Sequence, residues 1–170
     1  MTELEIIDTA VKIGLGSIIT GFFAYFLQRT NISASVSKDK LENNRKILMQ
    51  ISADIEEINH LVLKVWSIFD FEIKKDPIDK ENIYLRLTPL KASLFNDFQL
   101  LSKNEGLLLL YGYKDQQQCL RKYGEFLVKF NSYTYFNGEK VTQEKSTWYR
   151  GEILRLRYEL YESLHRALSQ

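Results

Sequence analysis

Cysteine, proline, glycine and histidine are all scarce in this 170-residue chain, with one Cys, two Pro, eight Gly and two His. A lone Cys119 excludes a disulfide framework, and with only His60 and His165 beside it no zinc-ligand spacing exists. Both facts fit a reducing cytoplasm. An excess of either charge is also missing. Lys and Arg number 23 against 22 Asp and Glu, so no global basic field marks a dedicated nucleic-acid binder, and no DNA contact is expected. Catalytic signatures are absent too: there is no P-loop, GxSxG, HExxH, set of Rossmann glycines or cluster of metal ligands. This argues against most enzymes, and neither a cofactor nor a metal is expected. What remains is plentiful: ten Tyr and ten Phe point to a helical body with aromatic packing.

The chain is organised around residues 6–27, IIDTAVKIGLGSIITGFFAYFL, in which only Asp8 and Lys12 are charged. As a helix this run is about 33 Å long, close to the hydrocarbon thickness of a bilayer, and we read it as a membrane span. Asp8 and Lys12 lie four apart on one helical face, so pairing lowers the cost of holding them at the membrane edge. Ala10, Gly14, Ser17, Gly21 and Ala24 follow at alternating spacings of four and three, forming one stripe of small residues. In lipid such a stripe lets backbones approach closely, and it suits packing against copies of the same helix. Glycine is also simply common in transmembrane helices, which is the plainer explanation.

A cleavable signal peptide needs a positive start and small residues before the cut. Here the start is acidic, with Glu3, Glu5 and Asp8, and the run ends in bulky aromatics. A buried core helix of a soluble protein is the competing reading, because the two charges shorten the uncharged stretch. Arg29, Lys38, Lys40, Arg45 and Lys46 all follow the run, which places the N-terminus outside and the C-terminal body in the cytoplasm of a single-pass inner-membrane protein. The expected division is therefore a tail and span over 1–29, a Ser/Asn-rich linker over 30–37, and a cytoplasmic domain over 38–170.

Leu41, Leu48, Ile55, Val62 and Phe69 recur every seven residues, with Ile51, Ile58 and Val65 between them and Asn44 as a polar exception. This heptad predicts a long helix ending at Asp76-Pro77. Its C-terminal half is too broadly apolar for a two-stranded seam and suits the core of a bundle. A loop over 76–87 is expected next. Thr88-Pro89 then reads as the start of a helix with Leu90, Leu94, Phe98 and Leu101 inward, stopped at Asn104-Glu105-Gly106. The apolar run over 106–113 is too short to span a membrane as a helix and reads as a buried connector or helix turn, in preference to a re-entrant membrane element. A third body helix covers about 115–131, with Leu120, Tyr123, Leu127 and Phe130 inward. Residues 131–140 read as a loop or brief hairpin closed by Asn137-Gly138. The last helix starts near Thr142 or Ser146, with Ile153, Leu156, Leu160, Leu164 and Ala167 as its core face. The fold class is thus all-α: one transmembrane helix followed by a four-helix bundle.

The one constellation with chemical potential is Arg150, Arg155, Arg157 and His165 in the last helix, because an Arg and a His can stabilise phosphoryl charge and move a ribose proton. Arginines on the wet face of an amphipathic helix are equally ordinary, and His165 in the last turn suits the helix dipole. An N-terminal span followed by a four-helix body with Arg and His in its closing helix resembles the small transmembrane accessory proteins of type VI-B CRISPR systems, which carry a divergent HEPN-like bundle. In the HEPN nuclease motif four to six residues separate Arg from His. Here seven separate Arg157 from His165, and eight helical steps rotate the side chain by about 80°, which counts against ribonuclease activity.

The resemblance implies a homo-oligomeric membrane pore that enhances antiphage defence by permeabilising or depolarising the inner membrane. Its implied partners are other copies of the chain, membrane lipids, and an RNA-guided nuclease or its RNA products. The paired charges, the small-residue stripe and the heptad independently suit a self-assembling helix ring, with Thr9, Lys12 and Thr20 as candidates for the pore wall. Two alternatives compete: a membrane-tethered RNA-binding or RNA-cleaving module, and a passive membrane scaffold for a defence partner.

Overall fold

The computed structural model describes residues 3–136 and 140–169, with side chains from residue 38 onward. The architecture is all-α, and no strand occurs among the described residues. Four helices follow one another: α1 (Glu3–Glu72), α2 (Lys80–Leu110), α3 (Lys114–Tyr133) and α4 (Gln143–Leu168). The chain divides into two units, Met1–Asn44 and Arg45–Gln170. The first is helical backbone belonging to α1, including positions 30–37, where the sequence predicts a linker. The second is the helical bundle.

The heptad of α1 becomes the bundle's central stripe. Leu48, Ile51, Ile55, Ile58, Val62, Val65 and Phe69 are each at most 1% exposed. Leu41, the first member of the repeat, is 60% exposed and contributes nothing to this core. Helix α3 packs against both α2 and α4. Leu120, Tyr123, Leu127 and Phe130 fill the inner face of α3, as their spacing predicts. On α4, Ile153, Leu160, Leu164 and Ala167 are buried, while Leu156 is partly covered.

Helix α2 differs most from expectation. It begins at Lys80, inside the predicted loop, because Asp79 caps it by accepting a hydrogen bond from the Asn82 amide at 3.0 Å. Ile83 and Leu87 are fully buried by this extra length. Pro89 therefore lies inside the helix rather than at its start, removing one backbone donor at a cost of about 3 kcal/mol. Burying two large aliphatic side chains, at about 1.5–3 kcal/mol each, outweighs that. Thr88 Oγ1 donates to the Tyr84 carbonyl at 2.7 Å, anchoring the turn before the proline. Leu90 and Phe98 are only partly covered, and Phe95 is exposed.

The predicted stop at Asn104-Glu105-Gly106 is not a stop. Leu101, Asn104 and Leu108 lie at helical spacing on one face and are all buried, so the helix continues. It ends at Leu110, and Gly112 just beyond it has a φ of +80°, a left-handed conformation. There the Tyr113 amide donates to Leu108 O at 2.8 Å and the Gly112 amide to Leu109 O at 3.1 Å. These two bonds satisfy the end carbonyls of the helix in a Schellman arrangement. Residues 106–110 are the last helical turn of α2, as the helix-turn reading has it, with Leu108 buried and Leu109 and Leu110 exposed.

Helix α4 starts at Thr142 rather than Ser146. Thr142 has extended backbone, and its hydroxyl accepts from the Lys145 amide at 3.2 Å. Ser146 is fully buried within the first turns, donating to Asp70 Oδ1 at 2.8 Å. Between α3 and α4 the chain turns through Thr134, Tyr135 and Phe136. The Asn137-Gly138 pair expected to close a hairpin lies outside the described residues.

Candidate functional site

Several residues singled out by sequence belong to the N-terminal part of α1. Thr9, Lys12 and Thr20, and the stripe Ala10, Gly14, Ser17, Gly21 and Ala24, have side chains outside the described residues. The same holds for the apolar run over 6–27. Among the described residues, no helix is long and apolar enough to cross a membrane.

Arg150, Arg155 and Arg157 of α4 are each engaged by another side chain. Arg157 donates from Nε at 2.9 Å and from Nη2 at 2.7 Å to Glu56 Oε1, joining α4 to α1, and its guanidinium lies 5.3 Å from the Tyr161 ring centroid. Tyr161 extends the seam by donating to the Ser52 carbonyl at 2.9 Å. Burial, reinforced by Glu56, pushes the Tyr161 hydroxyl well above the usual tyrosine range. Arg155 pairs with Glu152 and Glu159 on its own helix, and Arg150 lies over the Trp66 ring at 5.0 Å. His165 is exposed, and its backbone carbonyl accepts from Ser169 Oγ at 3.0 Å. No described contact joins Arg157 to His165. His60 is exposed as well. Among the described residues no group of three His, Cys, Asp or Glu side chains is placed to hold a metal ion.

Sequence reasoning missed the polar residues inside the bundle. Asp54 of α1 is buried, accepting from Gln50 Nε2 at 2.7 Å and from Asn104 Nδ2 of α2 at 3.1 Å. Asn59 accepts from the buried hydroxyl of Tyr123 at 3.4 Å, and burial raises that hydroxyl's pKa far above the ordinary value. Glu72, 1% exposed, takes bonds from Lys75, Asn82 and Arg86. The Lys75 hydrogen bond, more than any other influence, holds this carboxyl below its ordinary range despite burial. These bonds tie α1 to both α2 and α3 and satisfy groups that would be costly if left bare.

Two buried polar atoms among the described residues are exceptions, Asn104 Oδ1 and the amine of Lys91. Its Nζ is buried without a hydrogen-bond partner among the described residues and sits 3.2 Å from the Tyr135 ring centroid. Burial depresses its pKa from 10.5 to about 8. Tyr135 in turn stacks on Tyr84, whose hydroxyl donates to the Tyr135 carbonyl at 3.1 Å. The signal was present in the sequence: Lys91 falls on the stripe of Leu87 and Leu94, at spacings of four and three.

Two open clefts flank α3. One, about 600 Å³, lies between α3 and α4 and is lined by Phe126, Lys129, Thr142, Glu144, Lys145 and Trp148 among others. The other, about 420 Å³, lies between α2 and α3 and is crossed by the Arg121–Glu105 ion pair at 2.9 Å. The first combines an aromatic wall with cationic side chains at the start of a helix. Comparison of the chain with family profiles, curated proteins and solved structures returns no match.

Proposed function

We propose that this chain is a membrane-inserted, self-associating protein that forms a pore through its N-terminal helix and carries the helical bundle as its assembly domain. The observation that carries the proposal is the 22-residue run over 6–27, with two charges at one end and a stripe of small residues along one side. Basic residues following the run favour a cytoplasmic bundle. The resemblance to accessory proteins of type VI-B CRISPR systems supports a role in antiphage defence, with an RNA-guided nuclease or its products as the activating partner. The engagement of Arg157 by Glu56 favours this reading over an RNA-cleaving one, because that arginine already serves the α1–α4 seam.

The test is release of an encapsulated dye from liposomes of mixed zwitterionic and anionic lipid carrying the purified full chain. Release is expected from the native protein, slowed about tenfold by Gly14→Leu, whose side chain would separate close-packed helices. Equal release from Gly14→Leu and from Lys12→Ala would remove the pore wall from this segment. No release from the native chain would leave the scaffold reading in its place.

A further inference from the structure

We propose that Tyr135 is a gate over the amine of Lys91, its ring swinging between the observed closed position and an open one in which the ammonium reaches water. Opening gives the surface of the bundle a cation that the closed form hides. This inference is independent of the membrane reading.

Lys91 lies on the stripe that α2 buries, between Leu87 and Leu94, and only 6% of it is exposed. Its Nζ has no hydrogen-bond partner among the described residues, and the Tyr135 ring faces it at 3.2 Å. An ammonium has three donors to satisfy, and the attraction of one ring does not replace the water that the cation gives up. The closed form is therefore held against the preference of its own lysine. A flexible four-carbon stem carries such a charge to the surface wherever the way is open.

What blocks the way is one side chain. The backbone around it is fixed: the Tyr135 amide donates to Ser132 O at 3.1 Å, the Phe136 amide to Tyr133 O at 3.0 Å, and the Tyr135 carbonyl accepts from Tyr84 Oη at 3.1 Å. Phe136 is wedged against Phe69 and Tyr84, at 5.7 and 6.0 Å between centroids. Tyr135 itself is 40% exposed, and its ring stacks on Tyr84 with centroids 6.2 Å apart. A change of χ1 at Tyr135 frees the amine without disturbing the turn. Neighbouring charges are already engaged. On α1, Asp70 is taken by Lys74 and Ser146, and Glu72 by Lys75, Asn82 and Arg86. On α2, Lys80 lies 4.9 Å from the Phe136 ring. Tyr84 and Tyr135 are the other titratable members of the cluster, and burial alone lowers the Lys91 pKa, to about 8.

Acetylation of the full chain in detergent micelles by an N-hydroxysuccinimide ester, with mass spectrometry of its peptides, reads how often the amine is reached. The exposed Lys129 serves as the internal reference. Lys91 is expected to react about tenfold or more slowly than Lys129, at a rate that stays flat in low urea, the mark of a local opening. The ratio of the two rates should fall about tenfold from pH 7 to pH 9. Above pH 8 the buried amine loses its proton and the closed form gains, while the open amine keeps its proton up to about 10.5. Reaction within the closed form would raise the ratio instead.

Tyr135→Ala should bring Lys91 to within about threefold of Lys129, whereas Tyr135→Phe, which keeps the ring, should react like the native chain. If Tyr135→Ala proves unfolded, the urea and pH responses of the native chain decide by themselves. Reaction of Lys91 as fast as Lys129 in the native protein would overturn the proposal. So would a rate that climbs with the first addition of urea as global unfolding does, a ratio that rises with pH, or equal rates in the native chain and a folded Tyr135→Ala.

Discussion

Lys91 shows how one side chain can set a pH response for the whole bundle. Its amine has a pKa of about 8 in the fold against 10.5 for an ordinary lysine, because burial disfavours the cation. Between these values the unfolded chain binds more protons than the folded one, so the group's contribution to stability rises as pH climbs from about 8 to about 10.5. Below pH 8 both states carry the proton, and the cost of the buried cation is felt in full. The Tyr135 ring, 3.2 Å away, offsets part of it. Replacing the amine by an apolar group of similar length should therefore help at neutral pH. Lys91→Met is expected to stabilise by about 1–2 kcal/mol at pH 7, after allowance for solvent screening and the lost ring contact, with the gain shrinking toward pH 10. Urea unfolding of both proteins at several pH values checks this. A variant less stable at pH 7 would show that the ring contact outweighs desolvation.

Among the elements, α2 separates two glycines that look alike in sequence. Gly106 lies within the helix, and a Cβ added there would meet nothing within 4 Å. Gly112 has equally open surroundings but a φ of +80°, which an L side chain adopts only with strain. Gly106→Ala should raise stability by about 0.5–1 kcal/mol, whereas Gly112→Ala should lower it by about 1 kcal/mol or more. Thermal melts of the two variants beside the native chain measure the opposite signs directly. Loss of stability in Gly106→Ala would mean that α2 does break at that point. The comparison isolates backbone conformation, since packing space is the same at both sites.

For the whole molecule, polar bonds run from α1 outward: the buried Asp54–Asn104, Asn59–Tyr123 and Asp70–Ser146 bonds, the partly buried Ser52–Tyr161 bond, and the exposed Glu56–Arg157 pair. With its core stripe satisfied by α2, α3 and α4, α1 has no apolar seam to spare within the bundle. The exposed Leu41 lies at the other end of the heptad, next to Asn44, where a self-associating ring would be assembled. The pore reading then predicts an oligomer in detergent whose size falls when the small-residue stripe is disrupted. Mass photometry of the full chain and of Gly14→Leu should show a multimer and a smaller species respectively; a native monomer would defeat the ring.

The sequence alone determined the helical class and most of the core, because a seven-residue apolar repeat on α1 and three- and four-residue spacings on α3 and α4 have only one way to bury their faces. It also pointed to the run over 6–27, where mean polarity rather than contact carries the signal. Three things depended on tertiary structure. Ile83 and Leu87 extend α2 across a predicted loop, since their burial outweighs an interior proline. Asn104, a breaker by local preference, stays helical because Asp54 on another helix accepts its amide hydrogen. The α3–α4 cleft and the clasp of Lys91 under Tyr135 arise only when residues far apart in the chain meet. Local spacing specifies which face of a helix is buried. The partner against which it is buried, and the polar groups that partner can satisfy, are properties of the folded molecule.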